Sequence, residues 1–399
     1  MKFHKRKTRL PFALPDVGER EIQAGAKVLR SGWLTSGPEV QAFEKEFARA
    51  TDAIDAVAVN SCTAALHLAM EAYNIKAGDA VFVPDYTFIA SAEIVLYSGA
   101  LPIIVDVDRD SYLLTAEQLE ACIAARCLWK NGQLVHKASG NIIRAIIPVH
   151  YGGRPCEMNA ILRLARKYRL KVIEDAAHSF PADYDGQKIG SIGDLTAFSF
   201  YATKNLTTGE GGMLTFTANS AALADRVRRL RLHGILGQTY GRQRWQYDVV
   251  DQGYKYNMMD STAAMGRVQL KRSQQMLKRR RKIHQAYNKA FGDLPVRLNP
   301  SCKHSSAHHL YTIEIRKDAP LSRDEFVEEM YARNIAVSLH FIPIHRLKHY
   351  RKLLDLHERD FQAAEEIFQH IVSLPIYSAM SDNDTQDVIA ATRNILAPD

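Results

Sequence analysis

The chain has no run of about 18 or more apolar residues, the length needed to cross a hydrocarbon core, so no membrane-spanning helix is expected. Cysteine is scarce: Cys62, Cys122, Cys127, Cys156 and Cys302 are the only five in 399 residues. An odd number at irregular spacing fits neither a disulfide framework nor a zinc knuckle. Free thiols in a reducing cytoplasm, with no metal site, are the expectation. The first residues are basic (Lys2, Lys5, Arg6, Lys7, Arg9), but Pro11, Pro15 and Asp16 interrupt the stretch after them. No apolar h-region forms, so a secretory leader is not expected. There is no internal repeat and no low-complexity segment.

Aromatic residues are missing from the densest cationic run, Lys278-Arg279-Arg280-Arg281-Lys282. Contact with bases wants aromatic side chains between the cations. The net charge of +8 therefore reads as a solvated helix face rather than a nucleic-acid footprint. The alternative is that part of the run meets an anionic substrate.

What is present is ordinary soluble-protein composition, 46% hydrophobic and 24% charged, in a chain long enough for two domains. Over the first two-thirds, short apolar runs alternate with helical stretches. Strands are expected at residues 56–60, 80–84, 101–106, 142–149, 171–175, 196–200 and 212–215. Helices are expected between them at 63–73, 88–97, 116–125 and 156–168. Near-continuous apolar strands separated by helices predict an α/β fold: a mostly parallel, doubly wound sheet with helices on both faces. A long helix comes next, roughly 260–291. Beyond it, residues 311–316 and 336–341 alternate like half-exposed strands, and 322–333 and 361–370 read as helices. This is the pattern of a smaller α+β domain. The boundary falls inside the long helix, giving a large domain of residues 1–275 and a small one of 276–399.

In such a sheet, ligands gather at the carboxyl ends of the strands. Three segments there carry polar residues. Asn60-Ser61-Cys62-Thr63-Ala64-Ala65 comes after a strand and opens a helix, where free N–H groups and the helix dipole suit a phosphate. Taken alone, it could be a plain helix cap. Val172-Ile173-Glu174-Asp175-Ala176-Ala177-His178 ends an apolar strand in an acidic pair. A carboxylate there can hold a nitrogen heterocycle protonated, although a capping Asp beside a satisfied His is the bland alternative. Phe198-Ser199-Phe200-Tyr201-Ala202-Thr203-Lys204 delivers a hydroxyl and a lysine ahead of the Gly-rich turn 209–212. A desolvated lysine can form a Schiff base, whereas a surface lysine before a hairpin cannot. Together the three supply the protein parts that pyridoxal phosphate (PLP) needs.

With these segments and others, the sequence resembles the DegT family of nucleotide-sugar aminotransferases. The resemblance runs from Ser31-Gly32-Trp33-Leu34-Thr35-Ser36-Gly37-Pro38 through Pro148-Val149-His150-Tyr151-Gly152 and Leu339-His340-Phe341 to Ser373-Leu374-Pro375. Within the family it is most similar to the branch that forms UDP-4-amino-4-deoxy-L-arabinose, notably at Gly253-Tyr254-Lys255-Tyr256-Asn257. It implies a fold-type I aminotransferase with a seven-stranded, mostly parallel sheet. By this resemblance Lys204 is the Schiff-base lysine and Asp175 pairs with the pyridine nitrogen. His178 approaches the ring or its phenolic oxygen, Thr63, Ala64 and Ser199 hold the phosphate, and Phe88 stacks on the ring. Asn257 would reach the cofactor phosphate of a second subunit in a homodimer with shared sites. The implied reaction moves an amino group from an amino acid, L-glutamate by analogy, to a nucleotide-linked keto-sugar. A 3-keto sugar, a 4-keto sugar and an amino-acid acceptor all remain open. Lys255, Arg242, Arg244, His340 and His345 are candidate contacts for the substrate, each with a surface role as its alternative. Two departures from the family pattern stand out. Residues 127–140, from Cys127 to Gly140, read as an inserted surface loop, and Phe180-Pro181 replaces small residues beside the cofactor.

Overall fold

The computed structural model describes residues 5–236 and 247–397. Seven strands form the body of its central sheet. In spatial order these are Asp55–Val59, Gly212–Phe216, Leu195–Ser199, Lys171–Asp175, Ile142–Ile146, Asp79–Pro84 and Leu101–Val105. From Leu195–Ser199 onward all neighbours are parallel. Among these seven, Gly212–Phe216 is the strand that runs antiparallel to both of its neighbours. Val57, Val81, Phe82, Ile104, Ile146, Ile173 and Leu214 are almost wholly buried. That burial on both faces is why these strands read as continuous apolar runs rather than alternating ones.

The sheet has two further strands, Cys127–Lys130 and Gln133–His136, which correct one expectation. Residues 127–140 are not a loop. They form a hairpin that joins the sheet where Val135 pairs with Ile142. Its turn is Asn131-Gly132, with φ of 51° and 74°. Two successive left-handed residues make the turn that matches strand twist, and Asn-Gly is its commonest sequence. Leu134 is buried and anchors the hairpin, while Trp129 stays half-exposed against the Tyr168 ring.

Helix Asp260–Phe291 packs against Glu19–Ser31 and Pro38–Ala50 at its start. Its later turns, with Ile283, Tyr287 and Phe291, enter a second hydrophobic core. That core covers a three-stranded antiparallel sheet of Val296–Leu298, Tyr311–Ile315 and Ile371–Leu374. The two cores do not divide at one point along the chain. Leu10 belongs to the second, and Ile344, Phe361 and Ile367 belong to the first.

Residues 336–341 do not form the expected strand. A single isolated bridge occurs there, Ser338 with Ser373, and Leu10 bridges Ile335 just before it. Ala336 and Val337 are both buried, so the apparent alternation is not that of a two-faced strand. Past Ser338 the chain leaves the sheet, and His340 and Phe341 line a cavity. The cationic run is also only partly a solvated face. Lys278, Arg281 and Lys282 are exposed. Arg280 is buried and donates to the carbonyls of His309 and Ile376, while Arg279 donates to that of Met380.

Candidate active site

A cavity of about 390 Å³ lies at the carboxyl ends of the parallel strands. Strand Lys171–Asp175 delivers Asp175 into its wall, and side-chain alternation sends the preceding Glu174 to the other face. Asp175 Oδ2 accepts from the Ser91 hydroxyl at 2.7 Å, and Oδ1 accepts from the Ala177 N–H at 3.1 Å. Two donors thus fix the carboxylate. Glu174 serves the scaffold instead: it is buried and accepts from the Gly193 N–H and the Thr196 hydroxyl.

Strand Leu195–Ser199 ends at Ser199, and the chain then turns back through residues 200–211. Phe200 donates its N–H to the Gly211 carbonyl, and Thr208 donates to the Phe200 carbonyl. A Cβ at Gly211 would meet Thr208 Oγ1 at 2.3 Å, so the tight return requires glycine. The turn holds half-buried Lys204 in the cavity wall. Burial lowers its pKa to about 8, opposed by the negative charge of Asp175. Among the described residues no carboxylate comes within ion-pair range of its Nζ.

The third segment starts helix Cys62–Ala72. Ser61 caps it, its Oγ accepting from the Ala64 N–H at 3.1 Å. Of the two expected phosphate donors, Ala64 therefore already has an acceptor for its N–H. The N–H groups of Cys62 and Thr63 lie in the first turn, which has no intrahelical acceptors. Gly212 allows the neighbouring strand to back this turn, since a Cβ there would lie 2.5 Å from the Ser61 carbonyl. Ser199 Oγ accepts from the Tyr201 N–H at 3.3 Å.

His178 also lines the cavity. Its Nδ1 accepts from the Gly152 N–H at 3.2 Å, so the ring proton sits on Nε2. Burial pushes its pKa well below the usual value, and the charge of Lys204 adds to this, so the ring is neutral. Phe341 stacks on it with centroids 5.8 Å apart, and His309 lies 4.3 Å away on another side. His309 in turn meets Asn205 Oδ1, beside Lys204, at 3.0 Å. Phe88 is 57% exposed at the cavity mouth, 5.6 Å from the Phe341 ring.

Of the expected substrate contacts among the described residues, only His340 lines this cavity. Its Nδ1 meets Ser373 Oγ at 3.0 Å, and its carbonyl accepts from the hydroxyls of Tyr86 and Tyr151. His345 does not reach the cavity. It is buried between Asp85, 2.6 Å from Nδ1, and Glu365, 3.2 Å from Nε2, with Phe361 stacked on its ring. Both nitrogens are committed, which makes His345 a structural link. Lys255 lies outside the cavity, its Nζ 2.5 Å from Asn257 Oδ1. Asn257 Nδ2 donates to Thr35 and Ser36, also away from the cavity of its own chain. Arg242 and Arg244 lie outside the described residues. Ser91, His309 and the Tyr86–Tyr151 pair are not legible in the sequence, because their partners are brought in only by the fold.

One cavity thus offers donors for an anionic group, a fixed carboxylate, a neutral imidazole N–H and a lysine of lowered pKa. This donor set fits PLP, which has a phosphate, a basic ring nitrogen, a phenolic oxygen and an aldehyde. The comparisons agree. The family model for DegT/DnrJ/EryC1/StrS aminotransferases matches residues 15–393. The spore coat polysaccharide biosynthesis protein SpsC of Bacillus subtilis is 43% identical over 98% of each chain. An uncharacterised protein of Methanocaldococcus jannaschii is 42% identical over 98% of this chain and 99% of its own. A candidate sugar aminotransferase of Streptococcus pneumoniae, solved in its PLP form, superposes with a TM-score of 0.87 at 29% identity, covering 98% of this chain and all of that one. The chain belongs to the DegT/DnrJ/EryC1/StrS aminotransferase family, and it is a PLP-dependent aminotransferase of fold type I.

Proposed function

We propose that the protein transfers an amino group from an amino acid, L-glutamate first, to a nucleotide-linked keto-sugar at C4, in amino-sugar or surface-glycan biosynthesis. The carrying observation is the convergence of Lys204, Asp175, Ser199 and the Thr63 helix start on one cavity. The sugar acceptor is supported by the names of the relatives, SpsC and the S. pneumoniae protein. The C4 position rests on the resemblance at Gly253–Asn257 to the 4-amino-arabinose branch, and a 3-keto sugar is the nearest alternative. An amino-acid acceptor has less support. The small-domain arginines that could seat its carboxylate are engaged elsewhere: Arg316 with Asp318, Arg323 with Asp324 and the Phe368 carbonyl, Arg333 with Glu329.

When bound, PLP supplies an electron sink that acidifies the donor's α-C–H bond. The chain's own groups do the rest. Asp175, clamped by Ser91 and the Ala177 N–H, presents a fixed negative charge for a protonated ring nitrogen. Lys204 Nζ, its pKa near 8, can exist as the free amine near neutral pH, which a proton carrier requires. His178 Nε2–H can donate to a phenolic oxygen, and Ser199 with the first turn at Thr63 can hold a phosphate.

The working unit in this reading is a homodimer in the cytoplasm, with Asn257 completing the partner's site. Exposed Trp33, Leu34 and Met259, close to Asn257 through the Thr35–Met259 bridge, support an apolar subunit contact there. The five free cysteines support a reducing compartment. The test is an amination screen with L-glutamate and UDP-, GDP- and dTDP-linked 3- and 4-keto-sugars, read by mass spectrometry. A 4-amino sugar nucleotide is the expected product. Turnover of 2-oxo acids alone, with no sugar product, would overturn the reading.

A further inference from the structure

A second cavity, of about 510 Å³, lies apart from the first and shares no lining residue with it. It sits between the large sheet's loop at Arg154, helix Asp260–Phe291 and the segment 298–308. Arg154 is only 3% exposed. Its Nη1 donates to the Ser111 carbonyl at 2.7 Å, and its guanidinium rests over the rings of Tyr112 and Tyr151. Among the described residues, Nε and Nη2 have no hydrogen-bond partner. Among the described residues no carboxylate lies within ion-pair range of Arg154. A buried cation without a counter-charge is expensive, and proteins keep one where an anion comes to it.

The rest of the wall points the same way. Arg281 reaches the cavity from the exposed side of the long helix and also has no carboxylate partner among the described residues. The rings of His284 and His308 lie 4.6 Å apart on the wall, tilted by 55°. Burial, reinforced by neighbouring cationic groups, pushes their pKa values down to about 3 and about 4, so both are neutral; His284 is engaged by the amides of Asn288 and Asn299, which leaves His308 as the ring that can donate an N–H. Asn299 and Ser306 also line the wall but serve the scaffold, Asn299 bonding His284 and Thr312 and Ser306 donating to the Gly153 carbonyl. Glu157 lines an adjoining cavity that Arg154 also lines. It is already paired with Lys303 at 3.1 Å and His304 at 3.4 Å.

We propose that this cavity is a second ligand site, which takes a small phosphate-bearing anion with Arg154 and Arg281 as its two cationic contacts. The unpartnered Arg154 nitrogens, Arg281 and the His308 ring come from three separate elements, which suits a group with three outer oxygens better than a planar carboxylate. The site stands whichever sugar is aminated in the first cavity.

The test uses PLP-loaded protein, so that the cofactor's own phosphate seat is filled, and titrates inorganic phosphate calorimetrically in a phosphate-free buffer. One saturable site per chain is expected. Arg281→Ala, at an exposed position, should weaken it by at least about tenfold, the loss of one charge-assisted contact. Arg154→Met should abolish it while the bound-cofactor absorbance stays unchanged. Should Arg154→Met fail to fold, Arg281→Ala alone decides. Absence of saturable binding, binding that survives the substitutions, or binding of malonate but not phosphate would each overturn the proposal.

Discussion

Lys204 should cost the cofactor-free protein stability. Its pKa falls from 10.5 to about 8 through burial. At about 1.4 kcal/mol per pH unit, holding the ammonium in this cavity costs roughly 3 kcal/mol at neutral pH. The sign comes from linkage. Below pH 8 the lysine is charged in both folded and unfolded chains, and the penalty is complete. Between 8 and 10.5 the folded chain sheds its proton while the unfolded chain keeps it, so the penalty shrinks, and above 10.5 it is gone. Lys204→Met keeps the stem and removes the charge. It should raise apo-protein stability at pH 7 by about 1–3 kcal/mol, the lower figure allowing for the part of the half-buried residue that solvent reaches, and by much less at pH 9.5. Urea denaturation of apo wild type and variant at both pH values measures this. A variant no more stable than wild type at pH 7, or a gain that does not shrink with rising pH, would refute the argument.

Asp175→Asn should still bind the cofactor but lose about 10²–10⁴-fold in turnover, because the fixed charge is gone; steady-state kinetics on the loaded variant read this. Gly212→Ala places a Cβ 2.5 Å from the Ser61 carbonyl and should displace the helix start, so its PLP dissociation constant should rise while Lys204 stays reactive. His345→Gln takes the cationic partner from buried Asp85, which keeps only the residue-345 backbone N–H, and should cost about 3–5 kcal/mol of stability, leaving KM for the sugar substrate unchanged in the folded fraction. The folded-state pKa of His345 is raised: burial works against this, but hydrogen bonds to Asp85 and Glu365 prevail. Its stabilisation is therefore complete below the unfolded pKa of about 6.5 and fades as pH climbs through the folded value.

The parts of the site that sit at strand ends were legible in the sequence. Asp175, Ser199 and Lys204 come at or just after the ends of apolar runs, and a doubly wound sheet puts the ends of such runs together. The long helix was equally plain, its observed limits Asp260–Phe291 matching the expected ones. What escaped depended on partners distant in sequence. Ser91 meets Asp175 across 84 positions, and His345 meets Asp85 across 260, so neither could show its role locally. The Cys127–His136 hairpin was different, since its Asn131-Gly132 turn signal was in plain view, and reading the segment as an insertion obscured it. The stretch 336–341 looked like a strand because its pattern mixes core packing at Ala336 and Val337 with cavity lining at His340 and Phe341.

The central claim is that Lys204 is the residue that holds the cofactor covalently. Reduction of the PLP-loaded protein with borohydride, and then peptide mass spectrometry, tests it most directly. The account predicts a single pyridoxyl adduct on Lys204, absent from Lys204→Met. An adduct on another lysine, or full PLP-dependent activity in Lys204→Met, would contradict it.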